Sequence, residues 1–119
     1  MNMDGYFNLR NEPVVRLHVG SLSIEMLVDT GFDGSLIVPA ELADNMDLKF
    51  EAHQDFLSVT GETFFASTCS TEIDWLGKRT KVAVARCGKL DEAILGSHML
   101  RDCRLTVDYG FRTITIVES

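Results

Sequence analysis

The chain has 119 residues, of which 18 are acidic and 11 basic, giving a formal charge of -7, and 45% are hydrophobic. Length and composition predict one folded domain over residues 1–119, with no room for a second lobe of similar size and none of the bias of a disordered or fibrous chain. The acidic excess would repel a polyanion, no apolar run is long enough to span a bilayer, and Met1 to Pro13 lacks the basic and apolar segments of a signal peptide. Nucleic acid and membrane partners are therefore excluded from the expectation, and a cytoplasmic protein is expected.

From Val14 to Val19 the apolar Val15, Leu17 and Val19 alternate with Arg16 and His18, the period of a half-buried strand. Gly20 and Ser21 break the run before Leu22 to Val28 resumes it, predicting a hairpin into a strand whose end, Met26-Leu27-Val28, is apolar on both faces. Leu36-Ile37-Val38 predicts a further strand, and Pro39 followed by the helix formers Ala40 to Met46 predicts one or two helical turns. Phe56 to Val59 and Thr63 to Ala66 flank Thr60-Gly61-Glu62, a hairpin signal with Gly near the tip. Thr80 to Ala85, Arg104 to Asp108 and Arg112 to Val117 predict strands, and a second short helix is expected from Ser97 to Asp102. The architecture expected is one β-rich domain.

Several residue types carry no separate chemistry in this pattern. Cys69, Cys87 and Cys103 are an odd set without a C-x-x-C pair, which predicts reduced thiols rather than a disulfide framework or zinc ribbon. His18, His53 and His98 fall on different elements, so no metal and no cofactor is assigned. Asp29, Asp33 and Gly34 fit three positions of a calcium loop, but Gly31 and Ala40 stand where it needs ligands. Trp75 is read as core.

Asp29-Thr30-Gly31 alone is compatible with a strand-end turn, since Asp and Gly are ordinary turn residues. Its context says more: an apolar strand delivers it, Leu36-Ile37-Val38 follows it, and Ile94-Leu95-Gly96 lies far downstream. Together these features, from Pro13 to Val117, resemble the retropepsin-like aspartic proteases, the single-lobe family of retroviral, retroelement and small bacterial enzymes. The resemblance implies an all-β, closed barrel of the acid-protease fold with one or two short helices. It also implies peptide hydrolysis by a pair of aspartates. Because 119 residues hold one Asp-Thr-Gly, it implies a homodimer with one Asp29 from each copy.

The roles implied are Asp29 as general acid and base, Thr30 as a tie between the two catalytic loops, and Gly31 as a site of close approach by substrate backbone. Phe32, Asp33 and Ile94 would line the cleft for an extended peptide, with Val59, Thr60, Gly61 and Glu62 forming a flap over it. Phe32 stands where the family often has Ala and would narrow the substrate-side wall; Ser97 and His98 stand where retroviral members have Arg and Asn. Those departures motivate an alternative: a dimeric β-barrel of this fold that binds peptide or protein with little turnover.

Overall fold

The computed structural model describes the backbone of residues 1–57 and 63–119, and the side chains of residues 1–52 and 66–119. In chain order the elements are β1 (Asn2–Phe7), β2 (Pro13–Val19), β3 (Leu22–Val28), β4 (Leu36–Pro39), α1 (Ala40–Ala43), β5 (Lys49–Leu57), β6 (Thr63–Trp75), β7 (Lys78–Cys87), β8 (Ala93–Leu95), β9 (Cys103–Asp108) and β10 (Thr113–Glu118). The alternation in β2 and β3 is realised as read: Val15, Leu17 and Val19 are buried against Ile24, Met26 and Val28, while Arg16, His18, Ser23 and Glu25 face outward. Their antiparallel register pairs Val19 with Leu22 and Val14 with Leu27, so Gly20 and Ser21 are the turn.

The strands form one sheet in the order β5-β6-β7-β4-β8-β3-β2-β1-β10-β9. The short β8 is threaded between β3, to which it is parallel, and β4, to which it is antiparallel. That crossing places the end of β3 beside the residues that follow β8. The all-β expectation holds, but the closed barrel is met only in part: β5 pairs with β6 and β9 with β10, and among the described residues no ladder joins β5 to β9.

Three further differences have local causes. First, of the one or two turns expected over Ala40 to Met46, α1 forms one and ends at Ala43, where the chain tightens into the bonds Asn45 N–H to Leu42 and Met46 N–H to Ala43. Second, Ser97 to Asp102 is a succession of turns instead of a helix: Met99, Leu100 and Cys103 donate three residues back, to Gly96, Ser97 and Leu100. Third, β6 and β7 are longer than read and meet at Leu76 (φ 49°) and Gly77 (φ 81°), a two-residue turn with both residues left-handed. Burial of the Leu76 side chain compensates for a conformation that Leu otherwise disfavours. The predicted hairpin is present as the antiparallel β5–β6 pair from Lys49 opposite Ser70 to Leu57 opposite Thr63; its tip, with Val59, Thr60, Gly61 and Glu62, lies outside the described residues.

At the base of that hairpin the Ser70 hydroxyl donates to Glu51 (2.8 Å) and Lys81 Nζ lies 3.7 Å from the same oxygen. The hydrogen bond first, and the cation second, hold the Glu51 carboxyl below the usual carboxylate range.

The core has two apolar clusters. The larger joins β2, β3, β4, β6, β7 and β8 through Val15, Leu17, Met26, Leu36, Ile73, Val84 and Leu95, with Ile116 of β10 completing it. Burial of this apolar area is the main stabilising term. The smaller holds Phe32, Ile37, Ala66, Ala85 and Cys87. Cys69, Cys87 and Cys103 are unbonded thiols, and burial pushes the Cys69 and Cys103 thiols up.

β1 has no counterpart in the sequence reading because Gly5 interrupts its alternation. It pairs with β10 through Asn2 to Gly5 and with β2 through Tyr6 and Phe7, so it changes partner at Gly5. A Cβ at Gly5 would collide with the Val14 carbonyl and lie 2.9 Å from Val15 Cγ1. Gly5→Ala is thus expected to destabilise the fold by about 1–3 kcal/mol, measured by chemical denaturation, whereas Asp4→Ala on the exposed face changes little.

Candidate active site

Val28, the last residue of β3, pairs with Leu95 of β8, and the Asp29 N–H continues that pairing by donating to the Leu95 carbonyl at 3.0 Å. The chain then turns on itself: Phe32 N–H donates to the Asp29 carbonyl (3.2 Å) and Gly31 N–H to Asp29 Oδ1 (2.9 Å). This side-chain bond is an Asx turn, the reason Asp is well suited to a tight exit from a strand. It fixes the carboxylate orientation and leaves Oδ2 without a partner among the described residues. Asp29 is half-buried, with Thr30 and Gly31 exposed beside it.

Three more backbone bonds lace this loop to the turn after β8. Gly96 N–H donates to Ser35 (2.8 Å), Ser97 N–H to Phe32 (2.8 Å) and His98 N–H to Gly34 (3.2 Å). The two segments approach so closely at Gly96 that a Cβ there would collide with the Gly34 carbonyl and sit 2.7 Å from that of Phe32. The glycine of Ile94-Leu95-Gly96 is therefore a requirement of backbone packing. The part played by the Leu95 and Ser35 carbonyls was absent from the sequence reading; the Gly after an apolar pair was the available signal.

Phe32 is only 7% exposed, and its ring lies over the Cα atoms of Gly34 and Gly96, packed in the smaller apolar cluster with Ile37, Ala66, Ala85 and Cys87. Ile94 packs partly buried against the same cluster, so the structure brings Phe32 and Ile94 together. The large side chain is accommodated by missing side chains around it. Beside it a cavity of about 180 Å³ is lined by Phe32, Asp33, Ser35, Thr68, Ala85 and His98. That volume is below the usual range for a whole small-molecule ligand and suits one side chain of a larger one. Asp33 is exposed at this cavity and has no ion pair among the described residues, and Ser97 is the residue that follows Gly96. Val59 to Glu62 lie outside the described residues. Among the described residues no three His, Cys, Asp or Glu side chains converge as a metal site would require.

The retroviral aspartyl protease family model matches residues 9–108. The fold is similar to a retropepsin-like aspartic protease from Rickettsia conorii, with 19% identity over 99% of this chain and 91% of that one and a TM-score of 0.67. It is also similar to the EIAV protease complexed with the inhibitor HBY-793, with 19% identity, 81% and 91% coverage and a TM-score of 0.67.

Phe32→Ala removes a ring enclosed on both sides and leaves a void that backbone carbonyls border. A loss of about 3–5 kcal/mol is expected by chemical denaturation, with Phe32→Leu losing less.

Proposed function

Because this chain belongs to the retroviral aspartyl protease family, we propose that it is a homodimeric aspartic endopeptidase whose catalytic pair is Asp29 from each of two copies. The observation that carries this reading is the Asp29 loop itself: a half-buried carboxylate with one oxygen tied to Gly31 and the other free, on a loop laced to Gly96-Ser97-His98. The 119 residues contain one such loop, and the chemistry needs two carboxylates.

Two carboxylates within a few ångströms cannot both ionise, so the pair carries one shared proton; aspartic proteases are the standard example of such a pair. The ionised member takes a proton from a trapped water as its oxygen attacks the peptide carbonyl carbon, and the protonated member gives its proton to the carbonyl oxygen. The tetrahedral diol collapses as one carboxyl protonates the leaving amine and the other receives a hydroxyl proton. The C–N bond breaks, acid and amine products leave, and the shared proton is restored with no covalent enzyme intermediate. Thr30 serves to tie the two loops together, Gly31 admits the extended substrate backbone, and Phe32, Asp33 and Ile94 form the wall of the cleft. The hairpin tip around Val59, Thr60, Gly61 and Glu62 serves as the cover that excludes water.

The alternative of a binding module with little turnover keeps one supporting observation, the Ser97 that leaves Asp33 without an Arg beside it. Turnover separates the two. The purified protein is expected to cleave unfolded polypeptides between pH 4 and 7, to be inhibited by a statine-type compound, and to lose rate by at least about a hundredfold in Asp29→Asn, assayed by mass spectrometry of products. Cleavage that survives Asp29→Asn unchanged contradicts the mechanism. A rate that keeps climbing to pH 9 contradicts the shared proton.

A further inference from the structure

β7 uses only part of one of its edges. Leu76 and Gly77 form a two-residue turn with both φ positive, so Trp75 and Lys78, which flank it, exchange both hydrogen bonds. Counting in twos from Lys78, Thr80 and Val82 bond to β6, whereas Arg79, Lys81 and Ala83 turn their N–H and C=O groups to the opposite edge. β4 takes up that edge only from Leu36 opposite Val84 onward. The N–H and C=O groups of Arg79 and Lys81, with the Ala83 N–H, are left without a strand partner, and among the described residues no other backbone group bonds to them. Such an edge is commonly guarded by Pro, a bulge or a projecting charge. Lys78 to Ala83 holds no Pro and keeps its register, and its charges are drawn back over the neighbouring strands: Arg79 pairs with Glu72 (3.4 Å) and Lys81 with Glu51 (3.7 Å).

Two adjoining cavities lie along this edge. One of about 280 Å³ is lined by Thr80, Val82 and Ala83 of β7 and by His98, Arg101 and Asp102 of the turns after β8. It shares Ser35, Ala83 and His98 with the cavity of about 180 Å³ beside Phe32 and Asp33. The free stretch of β7 therefore opens at one end onto a residue of the proposed cleft wall. We propose that the β7 edge from Arg79 to Ala83 is an accessory docking site for the substrate, where a segment of polypeptide outside the cleft adds as a further strand. Two observations choose this occupant. Unpaired N–H and C=O groups that recur at alternate residues of a strand are answered by extended backbone. The continuity of the two cavities past Asp33 makes a chain already lying in the cleft the backbone nearest to them.

This inference rests on the proposed peptidase reading and deepens it by naming the class of substrate. Main-chain pairing is indifferent to sequence but requires an unfolded segment. Arg79 to Ala83 covers about 14 Å of extended chain, so about five residues of substrate beyond the cleft fill it. Long unstructured polypeptides are then better substrates than short peptides carrying the same scissile bond.

Substrate length tests it. Cleavage sites in β-casein, an unfolded polypeptide, are mapped by mass spectrometry, and peptides of about 8 and about 20 residues centred on one site are compared. The longer peptide is expected to have about tenfold the kcat/KM of the shorter, by way of KM. Ala83→Pro is expected to abolish most of that difference, because it removes a free N–H and places its ring in the gap. Should Ala83→Pro fail to fold, Ala83→Lys fills the same gap from an exposed position that borders both cavities. Amide exchange gives a readout independent of turnover: in Asp29→Asn the Lys81 and Ala83 N–H groups are expected to exchange freely alone and to be protected by saturating β-casein. Cleavage with equal kcat/KM for the two lengths, or with those amides unprotected, overturns the docking site and leaves the aspartate mechanism standing. Protection of those amides without cleavage overturns the mechanism and leaves the docking site, and the absence of both overturns both.

Discussion

Everything at the candidate site depends on how closely two backbones approach at Gly96. Four N–H···O bonds join the Asp29 loop to the end of β8 and the turn beyond it, and two of them hold the carbonyls of Phe32 and Gly34 where a side chain on residue 96 would otherwise stand. A surface loop of this kind would ordinarily be among the softer parts of a protein. Here it is pinned from both ends, by the buried β3 strand and by β8 threaded between β3 and β4. Such pinning holds the Asp29 carboxylate in one orientation, the preorganisation that the proposed acid–base role needs.

The same packing explains why a large residue follows Asp-Thr-Gly. Phe32 would crowd the cleft if its ring pointed outward, but the absence of side chains at Gly34 and Gly96 gives it a slot, and Ile37, Ala85 and Cys87 close around it. The loop is thus held by hydrogen bonds along its backbone and by an apolar anchor at its centre. Polar groups of the site lie to one side of that anchor, with Asp33 and His98 at the adjoining cavity.

Where period-two alternation was unbroken, as in β2 and β3, the sequence disclosed strand, turn and buried face together. The Asp-Thr-Gly and Ile-Leu-Gly strings pointed to two segments that the fold brings together, because both are short segments whose residue types are dictated by backbone geometry. What stayed illegible came from tertiary context. Gly5 masks β1, since its missing Cβ answers a carbonyl from another strand. Leu76 carries none of the usual turn chemistry, and its left-handed backbone is held by burial of its side chain. Ser97 to Asp102 has a helical composition, yet its first residues are committed to the loop opposite and the segment completes only tight turns. The slot that holds the Phe32 ring stayed hidden because no single-sequence signal shows that the far-off Gly96 joins Gly34 in making room for it.

The position of β1 between β2 and β10 has a consequence for how the fold is reached. One neighbour of β1 is the next strand in sequence and the other is nearly the whole chain away, while β8 must insert between strands formed from much earlier residues. Contacts of such high sequence separation cost loop entropy before they return energy, so folding is slow for a chain of this size. During synthesis β1 is able to pair only through Tyr6 and Phe7 until residues 113–118 leave the ribosome. The β1–β10 ladder therefore forms late, and the Asn2–Gly5 edge of β1 stays open until β10 arrives.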